Sequence, residues 1–155
     1  MAPGGAHDTA DRPWFPVPVR VRYAETDAQR VVYHANYLVY MEVARGAFTR
    51  ALGLPYQEIE ARGVHLVVAE AKLRYKASAG YDDPLVVLLR IKELRGRLVR
   101  FEYRIEHEET GRLLVTGETS HVCVGLDFRP QAIPDWVVEA LGGTVVPSGN
   151  QAVDG

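Results

Sequence analysis

The sequence predicts an α+β domain in which one long helix packs against an antiparallel sheet. Residues 37–54 carry apolar side chains at the three- and four-residue spacing of a helix. One segment before this helix and four segments after it alternate apolar and polar residues, as half-buried strands do. One helix among consecutive strands indicates a curved sheet wrapped around that helix, because each apolar face must be covered by the other.

The first strand and the long helix are predicted from two different periods. The strand runs from Val17 to Tyr23, where every second residue is apolar or aromatic. The helix has an apolar stripe with small residues, which would let the sheet approach closely. Gly53 is expected to end the helix, since glycine is favoured just after the last helical residue. The apolar stripe consists of Met41, Ala44, Phe48 and Leu52.

The remaining elements are separated by turn residues. Arg95-Gly96 and Glu109-Thr-Gly111 mark turns between strands, and Pro134 starts a short closing helix. In order, the predicted elements are a short helix at Pro55–Arg62, strands at Val67–Tyr75, Leu85–Ile91, Val99–Ile105 and Leu113–Val124, and the closing helix.

Length and composition are those of a single globular domain. The chain has 155 residues, of which 47% are hydrophobic and 25% charged. Residues 1–13 and 142–155 are rich in Gly, Pro and polar residues, so we expect flexible tails on either side of one domain at 14–141. A net charge of -2 without a basic tract argues against a nucleic-acid partner.

No feature of the sequence indicates a membrane or a metal. The first residues do not resemble a signal peptide, and no apolar run is long enough to span a bilayer. The single cysteine, Cys123, permits no internal disulfide, so a cytoplasmic location is the default expectation. His65 and His121 lie in strand patterns without a second ligand at useful spacing, and we expect neither zinc nor another cofactor.

The candidate catalytic residue is Asp27, in the segment between the first strand and the long helix. Backbone N–H groups at a helix start are unpaired and carry partial positive charge, so they can hold an oxyanion. A carboxylate nearby can attack an acyl carbonyl or deprotonate a water that does. Spacing alone leaves a second interpretation equally open, in which Asp27 only complements the helix dipole.

The residues around Asp27 carry a family resemblance. The run Tyr23-Ala-Glu-Thr-Asp27, then Val-Val-Tyr-His34-Ala-Asn-Tyr37, then Glu42-Val-Ala-Arg45, resembles the hot-dog-fold acyl-CoA thioesterases, most closely the 4-hydroxybenzoyl-CoA thioesterase-like family. A weaker similarity extends to about residue 125. The resemblance implies a hot-dog fold, an acyl-CoA substrate without a separate cofactor, and homo-oligomers, dimers or tetramers, that pair edge to edge with active sites between subunits.

The resemblance also implies roles for three residues. Asp27 is the nucleophile or general base, the backbone N–H of His34 polarises the thioester carbonyl while its imidazole orients water, and Tyr23 assists. The three matches together favour a catalytic Asp27. The alternative for Tyr23 is a core ring at the end of the strand. Arg30 stands where the family usually has Gly, which implies either an ordinary backbone or a small local strain.

Two further functions stay open at this stage. A non-catalytic acyl-CoA-binding hot-dog protein would use the same pocket without turnover. A hot-dog hydratase would need a signature of the Gly-Asp-x-Asn-Pro type, which is absent here. Tyr33, Tyr37 and Tyr40 either line an acyl pocket or fill the core. Glu42 and Arg45, three residues apart on the helix, are expected to form a structural pair.

Overall fold

The computed structural model describes residues 12–142, and these form five strands and three α-helices. The elements in chain order are β1 (Phe15–Arg20), α1 (Asn36–Ala51), α2 (Tyr56–Ala61), β2 (His65–Tyr75), β3 (Pro84–Arg95), β4 (Leu98–His107), β5 (Leu113–Val124) and α3 (Asp135–Gly142), with a short 3₁₀ helix at Tyr23–Glu25 before α1.

All five strands join one antiparallel sheet in the order β1-β3-β4-β5-β2. The helix α1 packs against β1 and β3. Phe48 of α1 makes edge-to-face contacts with Phe15 of β1 and Phe101 of β4, at ring-centroid distances of 5.4 Å and 6.1 Å. The α+β class and the sheet packed on one helix are therefore as predicted.

One glycine permits close contact between the helix and the sheet. A Cβ added to Gly117 of β5 would lie 2.8 Å from Cε of Met41 and 3.1 Å from the carbonyl oxygen of Lys72. Met41 is fully buried at this position. The absence of a side chain at residue 117 thus lets Met41 of α1 pack directly against β5.

The helix ends as predicted, whereas the first strand does not. Gly53 has a φ of 79°, directly after the cap residue Leu52. The first strand was expected to reach Tyr23, but it ends at Arg20. Val21 instead exchanges backbone hydrogen bonds with the turn before β3, and the 3₁₀ helix follows. The placement of Tyr23 on a strand was therefore wrong.

The two edge strands of the sheet are β1 and β2. Among the described strands β2 pairs only with β5, and a register shift between Val68 and Glu70 interrupts that pairing. None of the helices within residues 12–142 has the length and apolar character needed to cross a bilayer. The predicted tails, 1–13 and 142–155, lie outside the described range except for residues 12, 13 and 142, so the domain boundaries stay predictions.

Candidate active site

Asp27 lies in a tight loop between the 3₁₀ helix and α1, as predicted. Its backbone N–H donates to the carbonyl of Val31 at 2.9 Å, and its carbonyl accepts from the N–H of Arg30 at 2.9 Å. Its carboxylate oxygen Oδ1 accepts a hydrogen bond from the N–H of Gln29 at 2.8 Å. The two backbone bonds fix the loop and the third fixes the side chain, whose Oδ2 has no protein partner among the described residues.

Arg30 adopts a left-handed backbone conformation in this loop, with a φ of 65°. Non-glycine residues pay a steric cost there, whereas glycine adopts this conformation freely. Of the two possibilities for Arg30, local strain is therefore the one that the structure supports. The side chain is exposed.

Glu25 anchors the loop, and the sequence analysis did not identify it. Glu25 is buried, with only 7% of the residue exposed. One carboxylate oxygen accepts from the backbone N–H of Arg22 at 2.8 Å and from the hydroxyl of Tyr40 at 3.0 Å, while the Arg22 guanidinium donates to the other oxygen at 3.2 Å. Burial, followed by this carboxylate, raises the pKa of Tyr40. The carboxylate therefore links the loop before Asp27 to the second turn of α1.

His34 lies in the turn that enters α1, two residues before the first helical residue Asn36. The N–H of Asn36 closes this turn by donating to the carbonyl of Tyr33 at 2.8 Å. Within residues 12–142 the backbone N–H of His34 has no hydrogen-bond acceptor. Its carbonyl accepts a hydrogen bond from the hydroxyl of Tyr75 at 3.0 Å, which ties the turn to the end of β2.

Asp27 and His34 line one cleft of about 360 Å³. Tyr37 from the first turn of α1 and Tyr75 from the end of β2 form part of its wall, and their rings meet edge to face at 5.8 Å. The cleft thus combines one carboxylate, one imidazole and the start of a helix. The lining residues are Asp27, Gln29, Val31, Val32, His34, Tyr37, Tyr75, Lys76, Ala77 and Ser78.

Tyr23 is not among the residues that line this cleft. Its ring is 77% exposed and meets the ring of Tyr81 edge to face at 5.8 Å. The alternative of a buried core ring for Tyr23 was therefore wrong as well. Among the described residues, Tyr23 bonds to the loop through its carbonyl, which accepts from the N–H and hydroxyl of Thr26, the residue before Asp27.

Two other predictions about α1 are resolved. Tyr37 and Tyr40 are each 3% exposed, and only Tyr37 also lines the cleft, while Tyr33 is exposed. The prediction that Glu42 and Arg45 form a pair was wrong, because no ion pair joins them within residues 12–142. The Arg45 guanidinium instead donates to the buried hydroxyl of Tyr103 at 3.1 Å. The described residues hold no group of three or more His, Cys, Asp or Glu side chains placed to bind a metal.

The chain matches known proteins over almost all of the described domain. Residues 21–141 match the family model of the Thioesterase-like superfamily. The chain belongs to this superfamily. Thus the predicted resemblance to hot-dog thioesterases is confirmed, and the match spans the loop of Asp27, α1, α2, strands β2 to β5 and nearly all of the closing helix.

Several relatives of this superfamily member carry the names of thioester hydrolases, in agreement with the predicted enzyme class. It is 39% identical to the putative acyl-CoA thioesterase YneP of Bacillus subtilis, over 76% of this chain and 88% of that protein. It is 38% identical to the acyl-CoA thioester hydrolase YbgC of Escherichia coli O157:H7, over 80% of this chain and 92% of that protein.

Solved structures of superfamily members have the same fold. A hypothetical protein from Thermus thermophilus superposes with a TM-score of 0.78 at 42% identity, covering 82% of this chain and 96% of that one. A 1,4-dihydroxy-2-naphthoyl-CoA thioesterase from Synechocystis superposes with a TM-score of 0.78 at 26% identity, covering 86% of this chain and 99% of that one. The predicted hot-dog fold is confirmed.

Proposed function

We propose that this chain hydrolyses the thioester of an acyl-CoA to a free acid and coenzyme A, with Asp27 as nucleophile or general base. The observation that carries the proposal is one cleft lined by both the Asp27 carboxylate and the turn that enters α1. A carboxylate beside unpaired helix-start N–H groups suits a reaction in which a carbonyl oxygen gains negative charge.

Each group has one step in the proposed reaction. The backbone N–H of His34, which has no acceptor among the described residues, donates to the thioester carbonyl oxygen as charge develops there. The Asp27 oxygen Oδ2 either removes a proton from a water that attacks the carbonyl carbon, or attacks that carbon itself to form an anhydride that water then hydrolyses to the free acid. Coenzyme A leaves as a thiolate, which needs little acid assistance because the pKa of a thiol is about 8.5. No separate cofactor takes part.

His34 and Tyr23 have supporting roles in this proposal. The His34 imidazole lines the cleft and orients the attacking water. Tyr23 acts through its carbonyl, which accepts two hydrogen bonds from Thr26 and so holds the residue before Asp27. We therefore expect Tyr23→Phe to retain activity, whereas His34→Ala, which preserves the backbone N–H, should lower kcat without abolishing it.

We further propose that the enzyme is a homo-oligomer that pairs through β2. This edge strand exposes Val67, Val68 and Tyr75, and the adjacent face of α1 exposes Val39 and Val43. A long edge strand beside exposed apolar side chains favours association with a second copy.

The pairing is testable with one added charge. Val39→Lys places a cation on the exposed face of α1, and light scattering should then report monomers at concentrations where the native chain is oligomeric. Thr110→Lys adds the same charge at the exposed turn between β4 and β5 and should leave the oligomer intact. An oligomer that survives Val39→Lys would place the interface elsewhere.

A cytoplasmic location is also part of the proposal. It rests on the single cysteine, Cys123, which is buried on β5 and forms no disulfide. The enzyme would then meet acyl-CoA in the same compartment in which it folds.

The function is tested by thiol release from short, medium, long and aromatic acyl-CoAs. Asp27→Asn keeps the acceptor for Gln29 but removes the negative charge, and kcat should fall by about 10²–10⁴. Asp127→Asn is the matched control, because Oδ1 of Asp127 accepts the same kind of bond from the N–H of Arg129, at 3.0 Å, outside the cleft.

Three outcomes separate the possible functions. Thiol release that is lost in Asp27→Asn but kept in Asp127→Asn supports the thioesterase. Equal release by the native chain and Asp27→Asn refutes the role of Asp27. Binding of acyl-CoA without any thiol release by the native chain would favour the non-catalytic acyl-CoA-binding protein.

A further inference from the structure

The backbone N–H of His34, the proposed oxyanion donor, lies inside a four-residue turn that runs from Tyr33 to Asn36. The N–H of Asn36 closes the turn by donating to the carbonyl of Tyr33 at 2.8 Å. In a planar trans peptide the carbonyl and the N–H that follows it point in opposite directions. This closing bond therefore orients the peptide group that carries the N–H of His34.

The middle peptide group of the turn, which joins His34 to Ala35, is not held by the closing bond. Its orientation is what distinguishes a type I from a type II turn. Ala35 has a φ of -69° and a ψ of -22°, so the turn has the type I orientation. A full flip to type II would require a positive φ at Ala35, which is costly for alanine, but smaller rotations of the peptide are open. Such rotations move Cα of His34 and the N–H attached next to it.

Tyr75 holds this middle peptide group from outside the turn. Its hydroxyl donates to the carbonyl of His34 at 3.0 Å. In a regular helix this carbonyl would accept from the N–H of Leu38, which donates to the carbonyl of Ala35 instead, at 3.2 Å. No backbone N–H within residues 12–142 donates to the carbonyl of His34. The Tyr75 hydroxyl therefore takes the place of a helical donor.

The sheet and the neighbouring rings keep the Tyr75 hydroxyl in place. The backbone of Tyr75 pairs with Val115 of β5. Its ring meets the rings of Tyr37 and His34 edge to face, at 5.8 Å and 6.2 Å, and Tyr37 is itself buried. Burial raises the pKa of Tyr75, so the hydroxyl keeps its donor proton near neutral pH. The donor that holds the turn is thus fixed by contacts outside the turn.

We propose that Tyr75 is a positioning residue for the oxyanion site, whose hydroxyl fixes the peptide group next to the N–H of His34. This inference rests on the proposed thioesterase function. The closing bond of the turn holds one peptide group at Cα of His34, and Tyr75 holds the other. A donor fixed before the reaction stabilises the oxyanion without the cost of reorganising the turn. Tyr75 acts through the backbone and does not need to touch the substrate.

Tyr75→Phe removes the hydroxyl and keeps the ring. We expect kcat to fall about tenfold and KM to change by less than about twofold, because the oxyanion forms only in the transition state. The fall should be equal for short, medium, long and aromatic acyl-CoAs, which share the thioester carbonyl. Tyr81→Phe is the matched control, since its ring is exposed outside the cleft and its hydroxyl has no hydrogen bond within residues 12–142. A loss that varies with the acyl group would mean that the Tyr75 hydroxyl contacts the substrate, and it would overturn the inference.

A second background separates the backbone of His34 from its imidazole. His34→Ala keeps the carbonyl that Tyr75 binds but removes the ring that packs against Tyr75. In the His34→Ala protein, Tyr75→Phe should still lower kcat about tenfold, since the hydroxyl acts on the backbone. An effect that disappears in this background would assign it to the imidazole and refute the positioning of the N–H.

Backbone NMR order parameters measure the positioning without catalysis. In Tyr75→Phe they should fall at His34 and Ala35, from about 0.85 toward about 0.6, and stay unchanged in Tyr81→Phe. Unchanged order parameters or an unchanged kcat in Tyr75→Phe would overturn the inference and leave the thioesterase intact. If the native chain releases no thiol, the proposed function fails, and the order parameters by themselves decide whether Tyr75 fixes the turn.

Discussion

Glu25→Gln tests the anchor of the catalytic loop with the smallest possible change. Glutamine keeps the shape of the side chain but removes its negative charge. At present the carboxylate accepts from the N–H of Arg22, at 2.8 Å, and from the hydroxyl of Tyr40, at 3.0 Å, in a site that is 7% exposed. Both donors keep an acceptor in the variant, although a neutral one.

The size of the effect follows from these bonds. A hydrogen bond to a charged group contributes about 1.5–3 kcal/mol, and one between neutral groups about 0.5–1.5 kcal/mol. Two such bonds each weakened by about 1 kcal/mol give a loss of about 2 kcal/mol. The ion pair with the Arg22 guanidinium adds little, because that side chain is 75% exposed. For a domain of this size, the loss corresponds to a fall in Tm of about 4–8 °C.

The same change should lower catalysis, because the loop that positions Asp27 loses its tie to α1. We expect a fall in kcat/KM of about tenfold, given how steeply rate depends on the placement of reacting groups. Thermal unfolding and thiol release from acyl-CoA measure the two effects. Glu109→Gln, at an exposed turn without a hydrogen bond through its side chain, is the matched control and should change neither.

A double-mutant cycle with Tyr40→Phe isolates the bond between Glu25 and Tyr40. The two single changes should be non-additive by about 1 kcal/mol, because each removes or weakens the same contact. Additive losses, or a Glu25→Gln protein as stable and as active as the native chain, would refute the anchoring role of this carboxylate.

Other predictions concern stability. Gly117→Ala should cost about 1–3 kcal/mol in urea unfolding, because the new Cβ would lie 2.8 Å from Cε of Met41 and 3.1 Å from the fixed carbonyl oxygen of Lys72; a neutral substitution would mean that the helix shifts freely. Arg30→Gly should raise the free energy of unfolding by about 0.5 kcal/mol, because it removes the strain of a non-glycine residue at a φ of 65°. Part of this gain is offset by the greater flexibility of glycine in the unfolded chain. Burial lowers the pKa of His121 to about 4, so as pH falls from 6.5 to 4 the imidazole takes up a proton in the unfolded chain but not in the folded one, and the free energy of unfolding decreases. Over this range the native chain should lose about 3 kcal/mol more than His121→Gln. Equal losses would contradict a neutral buried ring.

Elements with a clear local period were predictable from the sequence. The alternation around Val99 and Phe101 and the turn at Arg95-Gly96 depend on neighbours within a few residues, and the structure has β4 and the turn there. The loop position of Asp27 was equally predictable, since it lies between a segment with the two-residue period of a strand and one with the period of a helix. Tyr23 fits the same alternation, but its segment pairs with the turn before β3 rather than with a strand.

The polar contacts of the site could not be predicted in this way. Arg45 is three residues from Glu42 on the helix, yet its hydrogen-bond partner is Tyr103 on β4. Tyr75 reads as one more strand residue, although its hydroxyl binds the carbonyl of His34. Each of these contacts joins segments that are distant in the chain, so only the assembled sheet brings the partners together.

The position of β2 in the sheet sets an order for biosynthesis. Its only partner among the described strands is β5, which is the last of those strands to be synthesised, and β3 and β4 lie between the two in the chain. Since a ribosome releases the chain from its N-terminus, β2 must wait unpaired until residues beyond Leu113 have emerged. The outer edge of the sheet at β2 is therefore completed late in synthesis, only after β5 has emerged.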